Sequence, residues 1–370
     1  MKVKNNYNEC LTNLACSIRK YFDLEYHHNT LSYIDDILEK EKPTNVVLML
    51  LDGMGSNIID RALDKDSFFI KNRYKKITTV FPATTTAATT SIRTGLNPVE
   101  HGMLGWNTYL YPIDKTITLF MGREKGSDEI CTEFNSVKDK LLTKSISEQL
   151  NEVGKYKSIE LFPFPASHAV VYKDLDEMME MILNETKSKD KKFIYAYNDE
   201  PDHTMHEYGP DSKEARDLII ERNNKVEDLA SKLEDTLLIV IADHGHIKTD
   251  NIYLEDYKEL YNMLERTISL EQRAVSFKIK DEYIDKFEDA FNKEFGNYFS
   301  LYTKQEIIDS KLFGDGVENE LFDKALGDFI AIADNSNKAL LTKDDENLYS
   351  NHAGYTDDEI YVPLILKLKK

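Results

Sequence analysis

The stretch VVLMLLDGMG, residues 46–55, opens with six apolar residues and then breaks off at Asp52. Two later stretches share this design: FIYAY, residues 193–197, runs into NDEPDH, and LLIVIA, residues 237–242, runs into DHGH. Short apolar runs bounded by turn residues are typical of the buried strands of a parallel sheet. The sequence therefore predicts three such strands, each followed by acidic or histidine side chains.

Helical patterns lie between these strands. Residues 142–153 contain a capping-box spacing from Ser145 to Glu148, and Gly154 follows as a stop signal. Strands that alternate with helices predict an α/β sandwich with a mostly parallel central sheet, whose ligands lie beyond the carboxyl ends of the strands. Because all three polar clusters stand at such ends, we expect residues that are far apart in the sequence to meet there.

The segment from roughly residue 254 to 336 has a pattern of its own. AVSFKIK alternates like a half-buried strand, YFSLY and DFIAIA read as further strands, and apolar residues recur at helical spacing just before Gly296. We interpret 254–336 as a small inserted α+β subdomain, so that 1–253 and 337–370 form the core. Since the insert contains no candidate ligand, we expect it to serve substrate selectivity or partner contacts rather than chemistry.

Composition narrows the classes of function. The 370 residues include 66 acidic and 47 basic side chains, a net charge of -19, which argues against binding to a nucleic-acid duplex. The three widely spaced cysteines, the lack of a membrane-length apolar run and the lack of a signal-peptide core predict a cytoplasmic protein without a membrane anchor. The expected partner is a small molecule, and a homo-oligomer is left open.

The stretch TTVFPATTTAATTSIRTG, residues 78–95, is unusually rich in threonine. Pro82 and the pair Thr84 and Thr85 mark the start of a predicted helix that ends just before Gly95. The N-terminus of a helix presents free backbone N–H groups that suit a phosphate, and a hydroxyl there can attack phosphorus if a cation lowers its pKa. Helix capping and buried packing are the structural alternative for the same threonines.

Several side chains at the predicted strand ends and in loops are nitrogen and oxygen ligands of the kind that zinc accepts. Each has a plain explanation when taken alone, such as a turn aspartate or a buried histidine. Their coincidence at one end of the sheet favours a metal site. These residues are Asp52, the Thr84 and Thr85 pair, Asp202, His206, Asp243, His244 and His352.

In these motifs the chain resembles the alkaline phosphatase superfamily, and within it the type I phosphodiesterase/nucleotide pyrophosphatase family. The resemblance runs in the family's order through VVLMLLDGMG, FPATTTAATTSIRTGLNPVEHG, EPDHTMHEYGP, VIADHGH and NHAGY. It implies an alkaline-phosphatase-like sandwich that hydrolyses phosphodiester or nucleotide pyrophosphate bonds. It also implies two divalent metal ions, with zinc expected first and manganese or iron as alternatives.

The resemblance also implies roles for individual residues. Thr85 corresponds to the nucleophile that forms a covalent phosphothreonine, with its neighbour Thr84 as a lesser candidate. His203 and His246 match no ligand and are interpreted as neighbours of the ligands or as solvated side chains. The implied ligands are Asp52, Thr85, Asp243 and His244 for one metal, and Asp202, His206 and His352 for the other.

One departure from the family's pattern concerns the phosphoryl pocket. Asn107 stands one residue later than the asparagine that helps to hold a non-bridging phosphate oxygen in the family. Either Asn107 serves from a bulged loop, or Trp106 lines the pocket and another donor is used.

Rival functions stay open at this point. A phosphomonoesterase, a phosphonate hydrolase or a sulfatase would use nearly the same metals, although no Cys or Ser stands at the nucleophile position, which disfavours the sulfatase. A phosphotransferase would pass the group to an alcohol, and a non-catalytic protein would only bind metal or nucleotide. Activity on diester and monoester substrates, with and without zinc, separates these classes.

Overall fold

The computed structural model describes residues 4–141 and 143–370. The α-helices are α1 Leu11–Tyr21, α2 Ser32–Glu41, α3 Ser56–Ala62, α4 Phe68–Asn72, α5 Thr85–Thr94, α6 Pro98–His101, α7 Ile146–Val153, α8 Leu175–Thr186, α9 Asp202–Tyr208, α10 Lys213–Lys232, α11 Lys258–Met263, α12 Ile284–Phe295, α13 Lys304–Asp309, α14 Phe322–Ala325 and α15 Asp357–Ile360. Short 3₁₀ helices cover Thr132–Ser136, Lys138–Lys140, Leu254–Asp256 and Asp281–Tyr283.

The strands are β1 Asn45–Leu51, β2 Arg73–Thr78, β3 Asn107–Leu110, β4 Lys115–Thr118, β5 Arg123–Glu124, β6 Lys157–Phe162, β7 Val170–Val171, β8 Lys192–Asn198, β9 Thr236–Ile241, β10 Ile247–Lys248, β11 Asp250–Tyr253, β12 Ser269–Leu270, β13 Ala274–Phe277, β14 Ser300–Thr303, β15 Phe329–Ile332, β16 Lys338–Leu341, β17 Ser350–Asn351 and β18 Tyr361–Lys369.

A seven-stranded sheet, in the order β2-β18-β9-β1-β8-β6-β7, forms the centre of the fold. Strands β9, β1, β8 and β6 run parallel, and β18 is antiparallel to both of its neighbours. The three predicted strands are β1, β8 and β9, and the prediction of a mostly parallel central sheet is confirmed. All seven residues of β1 are buried, as expected of a strand covered on both faces.

The largest apolar core packs this sheet against helices α1, α2, α8 and α10. Within the described ranges, none of the helices is both long and apolar enough to cross a bilayer. The threonine-rich helix α5 begins and ends where the sequence predicts, with Thr84 as N-cap and Gly95 in the left-handed region at φ 79°.

Helix α7 begins later than the sequence predicts. It starts at Ile146, whereas the pattern placed its start at residue 142, which lies outside the described residues. Ser145 stops the helix from extending backwards because its backbone is extended and its hydroxyl accepts the N–H of Glu148 at 3.2 Å. The predicted capping box and the stop at Gly154 are both present.

A second seven-stranded sheet, in the order β14-β15-β13-β12-β3-β4-β5, joins two distant parts of the chain. The segment 254–336 contributes β12 to β15, and residues 107–124 complete the sheet with β3 to β5. Strand β13 is buried at all four positions, rather than half-buried as its alternation predicts. Phe277 packs against α12 on one face, and on the other face Ala274 belongs to a second apolar cluster and Ser276 donates its hydroxyl to the carbonyl of Leu326. The two sheets meet around the carboxyl ends of the first sheet's parallel strands, where the candidate site lies.

Candidate metal centre

Three neighbouring parallel strands deliver acidic residues to the same edge of the sheet. Asp52 follows β1 directly, and Asp243 stands two residues beyond the end of β9. On the other side of β1, strand β8 ends at Asn198, and helix α9 begins four residues later at Asp202. The structure therefore brings together residues that are separated by almost two hundred positions in the sequence.

One group of candidate ligands is fully buried at this edge. Thr85 Oγ1 lies 3.2 Å from His244 Nε2 and 3.4 and 3.5 Å from the two oxygens of Asp52. His244 Nε2 lies 3.4 Å from Asp52 Oδ1 and 3.5 Å from Asp243 Oδ2. Atoms bound at about 2.0–2.1 Å to one tetrahedral ion are about 3.3–3.4 Å apart, so this spacing fits a shared zinc-sized cation.

The hydrogen bonds and pKa values of the carboxylates in this buried group suit the binding of a cation. Asp243 Oδ1 accepts the backbone N–H groups of Gly53 and His244, both at 3.0 Å, whereas its Oδ2 has no hydrogen-bond partner among the described residues. Asp52 accepts the hydroxyl of Tyr197. Burial, followed by the neighbouring carboxylate of Asp243, raises the pKa of Asp52, and burial is also the largest cause of the raised pKa of Asp243.

A second group of candidate ligands opens towards a cleft. Asp202 and His206 lie one helical turn apart on α9, with Asp202 Oδ2 at 3.3 Å from His206 Nε2. His352 reaches the same point from the loop after β17 and packs between the two groups, with its ring stacked on that of His244 at a centroid distance of 3.8 Å. His246 completes the group through its Nε2, which lies 2.7 Å from Asp202 Oδ1.

The histidines that the resemblance implies as ligands share one orientation. In each, Nδ1 lies against a backbone carbonyl: Ser350 for His206 at 2.8 Å, Ala83 for His352 at 3.0 Å, and Gly245 for His244 at 3.1 Å. In a neutral imidazole, an Nδ1–H donor to a carbonyl leaves Nε2 unprotonated, which is the usual arrangement of metal-binding histidines. All three Nε2 atoms therefore remain available at the candidate site.

The histidines without an implied role behave differently from each other. His203 is exposed and lines the cleft. His246 is fully buried, so the interpretation as a solvated side chain is wrong for it. Strand β10, immediately after it, pairs with β17, which places His246 Nδ1 at 2.9 Å from Ser350 Oγ and Nε2 beside Asp202. His246 ends the motif VIADHGH but corresponds to no ligand of the family, so its spacing of two residues from His244 was the sequence signal that could have found it.

The threonines of helix α5 divide between structural and site roles. Thr84 donates its hydroxyl to Glu271 at 2.6 Å, and the hydroxyls of Thr89 and Thr94 donate to the carbonyls four residues earlier. The Thr85 hydroxyl instead faces the buried ligand group. Burial raises the pKa of Glu271, which sequence analysis did not single out, to about 7. Structural hydrogen bonding and site formation are thus both present along one helix.

The cleft beside the two groups has a volume of about 1450 Å³. Thr85, Trp106, Asn107 and Glu271 all line it. Asn107 is the first residue of β3, and its Oδ1 accepts the hydroxyl of Thr118 at 2.7 Å. With that oxygen occupied, the amide nitrogen of Asn107 is the group left to donate into the cleft.

The two groups together have the composition expected of a two-metal site. They contain only carboxylate, imidazole and hydroxyl donors, and the acceptor atoms crowd together at spacings that a bridging cation would stabilise. The imidazole partners of Asp202 hold its pKa well below the usual range although burial opposes this shift. The residues present therefore fit a pair of divalent ions.

Comparison with known proteins agrees with this geometry. The family model described as type I phosphodiesterase / nucleotide pyrophosphatase matches residues 46–356. A search of curated proteins found no match.

Similar solved structures share the fold at low sequence identity. Murine ectonucleotide pyrophosphatase/phosphodiesterase 5, as an inactive variant in complex with AMP, is 18% identical with a TM-score of 0.65, and the match covers 86% of this chain and 87% of that one. The human counterpart is 17% identical, with a TM-score of 0.64 and coverage of 87% of both chains. Phosphonoacetate hydrolase from Sinorhizobium meliloti, in complex with phosphonoformate, is 16% identical, with a TM-score of 0.62 and coverage of 89% of this chain and 91% of that one.

The family model covers most of the chain, and its span includes the candidate ligands of both groups. The chain therefore belongs to the type I phosphodiesterase/nucleotide pyrophosphatase family, and it is a phosphoester hydrolase.

Proposed function

We propose that this protein hydrolyses phosphodiester or nucleotide pyrophosphate bonds with two divalent metal ions and that Thr85 is its nucleophile. The observation that carries the proposal is the position of Thr85 Oγ1, 3.2 Å from His244 Nε2 and 3.4 Å from the nearer oxygen of Asp52. A hydroxyl that is itself a metal ligand is activated as a nucleophile at neutral pH. Thr84 is a weaker candidate because its hydroxyl is already bound to Glu271.

The assignment of ligands follows the two groups. When bound, the ions supply positive charge that stabilises the Thr85 alkoxide, the phosphoryl oxygens and the leaving oxygen. Zinc is the first choice because the donors are imidazole, carboxylate and hydroxyl groups, and manganese or iron are alternatives. The proposed ligands are Asp52, Thr85, Asp243 and His244 for the buried ion, and Asp202, His206 and His352 for the ion at the cleft.

The proposed reaction uses the chain's own groups in two displacements. The Thr85 oxygen loses its proton and attacks phosphorus, the bond from phosphorus to the leaving oxygen breaks, and the leaving group departs as an alcohol or a phosphate after taking a proton. Water then breaks the bond between phosphorus and the Thr85 oxygen, restores the hydroxyl and releases the remaining part of the substrate as a phosphate monoester. The free N–H groups at the start of α5 and the amide nitrogen of Asn107 are placed to hold the phosphoryl oxygens. Two in-line displacements give net retention at phosphorus.

A nucleotide is the substrate class that we favour. The cleft of about 1450 Å³ is larger than most drug-sized pockets, and Trp106 offers an aromatic surface at its wall. The murine relative, which was solved with AMP, supports the same class by analogy. A phosphonate is the second candidate, favoured by the similarity to phosphonoacetate hydrolase. Phosphomonoesterase and phosphotransferase activities remain alternatives within the superfamily.

The proposal is tested by measuring substrate turnover and by trapping the covalent adduct. Both experiments use protein that was purified without chelator and reloaded with zinc. Bis-p-nitrophenyl phosphate, p-nitrophenyl phosphate and phosphonoacetate separate diesterase, monoesterase and phosphonatase activities. We expect the diester to be hydrolysed fastest, and an acid-quenched sample to carry one phosphoryl adduct on the peptide that contains Thr85. Faster cleavage of phosphonoacetate would favour the second candidate, and zinc-loaded protein that cleaves none of the three would contradict the proposal.

A further inference from the structure

The turn that joins β12 to β13, residues 271–273, lies between the elements that carry the site. We propose that this turn positions both halves of the site. Glu271 holds the turn of Thr84 and Thr85 (the nucleophile turn) against strand β3, which begins at Asn107 (the Asn107 strand). Arg273 holds the loop that carries His352. The inference rests on the proposed function and deepens it. It also revises the expectation that the segment 254–336 serves only selectivity or partner contacts.

The turn 271–273 packs closely against the loop that leads into β3. Leu270 pairs with Asn107, and a Cβ built on Gly105 would lie 2.9 Å from the Cα of Leu270. Leu270 is fully buried and has φ 71°, a left-handed conformation that leucine rarely adopts. Such a conformation persists only where the surroundings determine it, and it is a known feature of functional sites. The backbone thus holds residue 271 at one fixed place.

Glu271 connects the nucleophile turn to the candidate phosphoryl donor. Its Oε1 accepts the hydroxyl of Thr84 and the backbone N–H of Trp106, both at 2.6 Å. Thr84 directly precedes Thr85, and Trp106 directly precedes Asn107. One carboxylate oxygen therefore sets the separation between the attacking hydroxyl and the amide that faces the cleft. Both hydrogen bonds lie at the short end of the usual range of lengths, so this connection is stiff.

Arg273 acts on the other half of the site. It is fully buried and forms a two-pronged ion pair with Glu359, at 2.7 Å from Nε to Oε1 and 2.9 Å from Nη2 to Oε2. The same Glu359 carboxylate accepts the N–H groups of Gly354 at 2.7 Å and Thr356 at 3.1 Å, two and four residues after His352. Its backbone carbonyl accepts the N–H of Gly245, which follows His244, at 2.8 Å.

The turn 271–273 therefore has a role in the site that its amino-acid composition does not indicate. It supplies no candidate ligand, yet its two charged side chains reach the nucleophile turn, the Asn107 strand and, through Glu359, the loops of His352 and His244. Small displacements of these elements would be costly because misplacing a reacting group by about 1 Å can slow a reaction about 100-fold. Glu271 and Arg273 are therefore positioning residues of the site.

The Glu271 half is tested by steady-state kinetics of the full-length, zinc-loaded protein. We expect E271A to lower kcat for bis-p-nitrophenyl phosphate about 100-fold while two metal equivalents remain bound. E271Q keeps an oxygen that can accept both hydrogen bonds, so it should recover part of this loss. Combined with N107A, the loss should be less than the product of the two single losses, because Glu271 acts through Asn107. The exposed Glu282 of the same segment provides the control variant E282A, which should match the wild type.

The Arg273 half is tested by metal affinity rather than by turnover. R273K keeps the charge but loses the two-pronged contact, and we expect about 10- to 100-fold weaker zinc binding in the group that contains His352, measured by competition with a chromogenic chelator. If R273K does not fold, the double variant R273M/E359M removes both charges together and tests the same contact.

The outcomes separate this inference from the proposed function. Wild-type kcat in E271A, together with two tightly bound equivalents in R273K, would overturn the inference while leaving the proposed function intact. If the wild type binds two metals but hydrolyses no substrate, the proposed function fails. The affinity of R273K then still decides the inference: weaker binding supports it and unchanged binding overturns it.

Discussion

The two groups of candidate ligands differ in how the fold holds them. In the buried group, Asp52, Asp243 and His244 are at most 2% exposed, and backbone amides fix the carboxylate of Asp243. In the open group, the side chains of Asp202 and His206 are 14% and 18% exposed and line the cleft. The buried group follows directly from adjacent strands, whereas the open group depends on the short helix α9 and the loop after β17.

This difference separates a rigid half of the site from a half that depends on loops. Parallel pairing of β1 with β9 sets the spacing of Asp52 and Asp243 through main-chain hydrogen bonds. His352 follows only the two-residue strand β17, and the Arg273 and Glu359 pair holds its loop from a distance. The rigid half also contains Thr85, so the proposed nucleophile lies in the more deeply buried part of the site.

The largest expected effect concerns Thr85. T85A removes the proposed nucleophile, and we expect kcat for bis-p-nitrophenyl phosphate to fall by roughly 10³-fold or more. T85S keeps the hydroxyl and loses only the methyl group that restricts its rotamer, so it should stay within about tenfold of the wild type. T84A should cost much less than T85A, because the Thr84 hydroxyl is bound to Glu271 rather than directed at the buried ligand group.

Mapping of the acid-quenched adduct by mass spectrometry checks the same assignment independently. An adduct on Thr84, or near-normal turnover in T85A, would place the nucleophile outside the rigid half.

The second prediction asks whether the two groups bind metal separately. H352A removes a proposed ligand of the open group only, so we expect one zinc equivalent to remain tightly bound and the other to weaken at least about 100-fold. The matched variant H244A should weaken the buried equivalent instead. Metal analysis after gel filtration, with circular dichroism to confirm folding, measures both. Loss of both equivalents in folded H352A would show that the stacked rings of His244 and His352 couple the groups.

The contrast between the groups also explains what could be predicted from the sequence. Strands β1, β8 and β9 and helix α5 were predictable because each depends on a local pattern: an apolar run that ends at an aspartate or an asparagine, or a stretch that ends in glycine. The structure places the predicted residues of both groups at one sheet edge, although their roles as ligands and the role of Asn107 stay predictions.

Other parts depended on distant pairing that no local pattern reveals. Glu271 stands in a sequence, SLEQRA, without any distinctive spacing, and it reaches the site only because β12 pairs with β3, more than 150 residues earlier. His246 is buried because β10 pairs with β17 from the end of the chain. Helix α7 was predicted to begin too early because the apolar pattern continues before Ser145. The capping hydrogen bonds of Ser145 set the first residue of the helix at Ile146.

The third prediction concerns the free energy of unfolding at acidic pH and its dependence on His101, which packs behind the helix that carries Thr85. His101 is fully buried behind helix α5, with Nε2 at 3.0 Å from Ser91 Oγ and Nδ1 accepting the N–H of Met103. Burial lowers the pKa of His101 from 6.5 to about 3, so below pH 6.5 the unfolded chain binds a proton that the folded chain does not. The free energy of unfolding should therefore fall as pH falls, by about 2 kcal/mol from this group between pH 7 and 5.

The variant H101Q lacks this titrating group, so its stability should decrease less between pH 7 and 5 than that of the wild type. Urea unfolding of metal-free protein at both pH values measures the difference, and the other ionisable groups are common to both proteins. Equal decreases in the two proteins would show that His101 is accessible to protons in the folded state.

The smallest expected effect is kinetic and addresses the comparison directly. A chelator can reach the open group through the cleft, whereas release from the buried group requires local opening of the structure. If that opening costs about 1.4 kcal/mol, the buried metal leaves about tenfold more slowly. Mixing zinc-loaded protein with an excess of a chromogenic chelator should therefore give two phases of equal amplitude, and H352A should lack the fast one. If H352A lacks the slow phase instead, the metal at the open group is the better protected one, and exposure in the metal-free fold does not govern exchange.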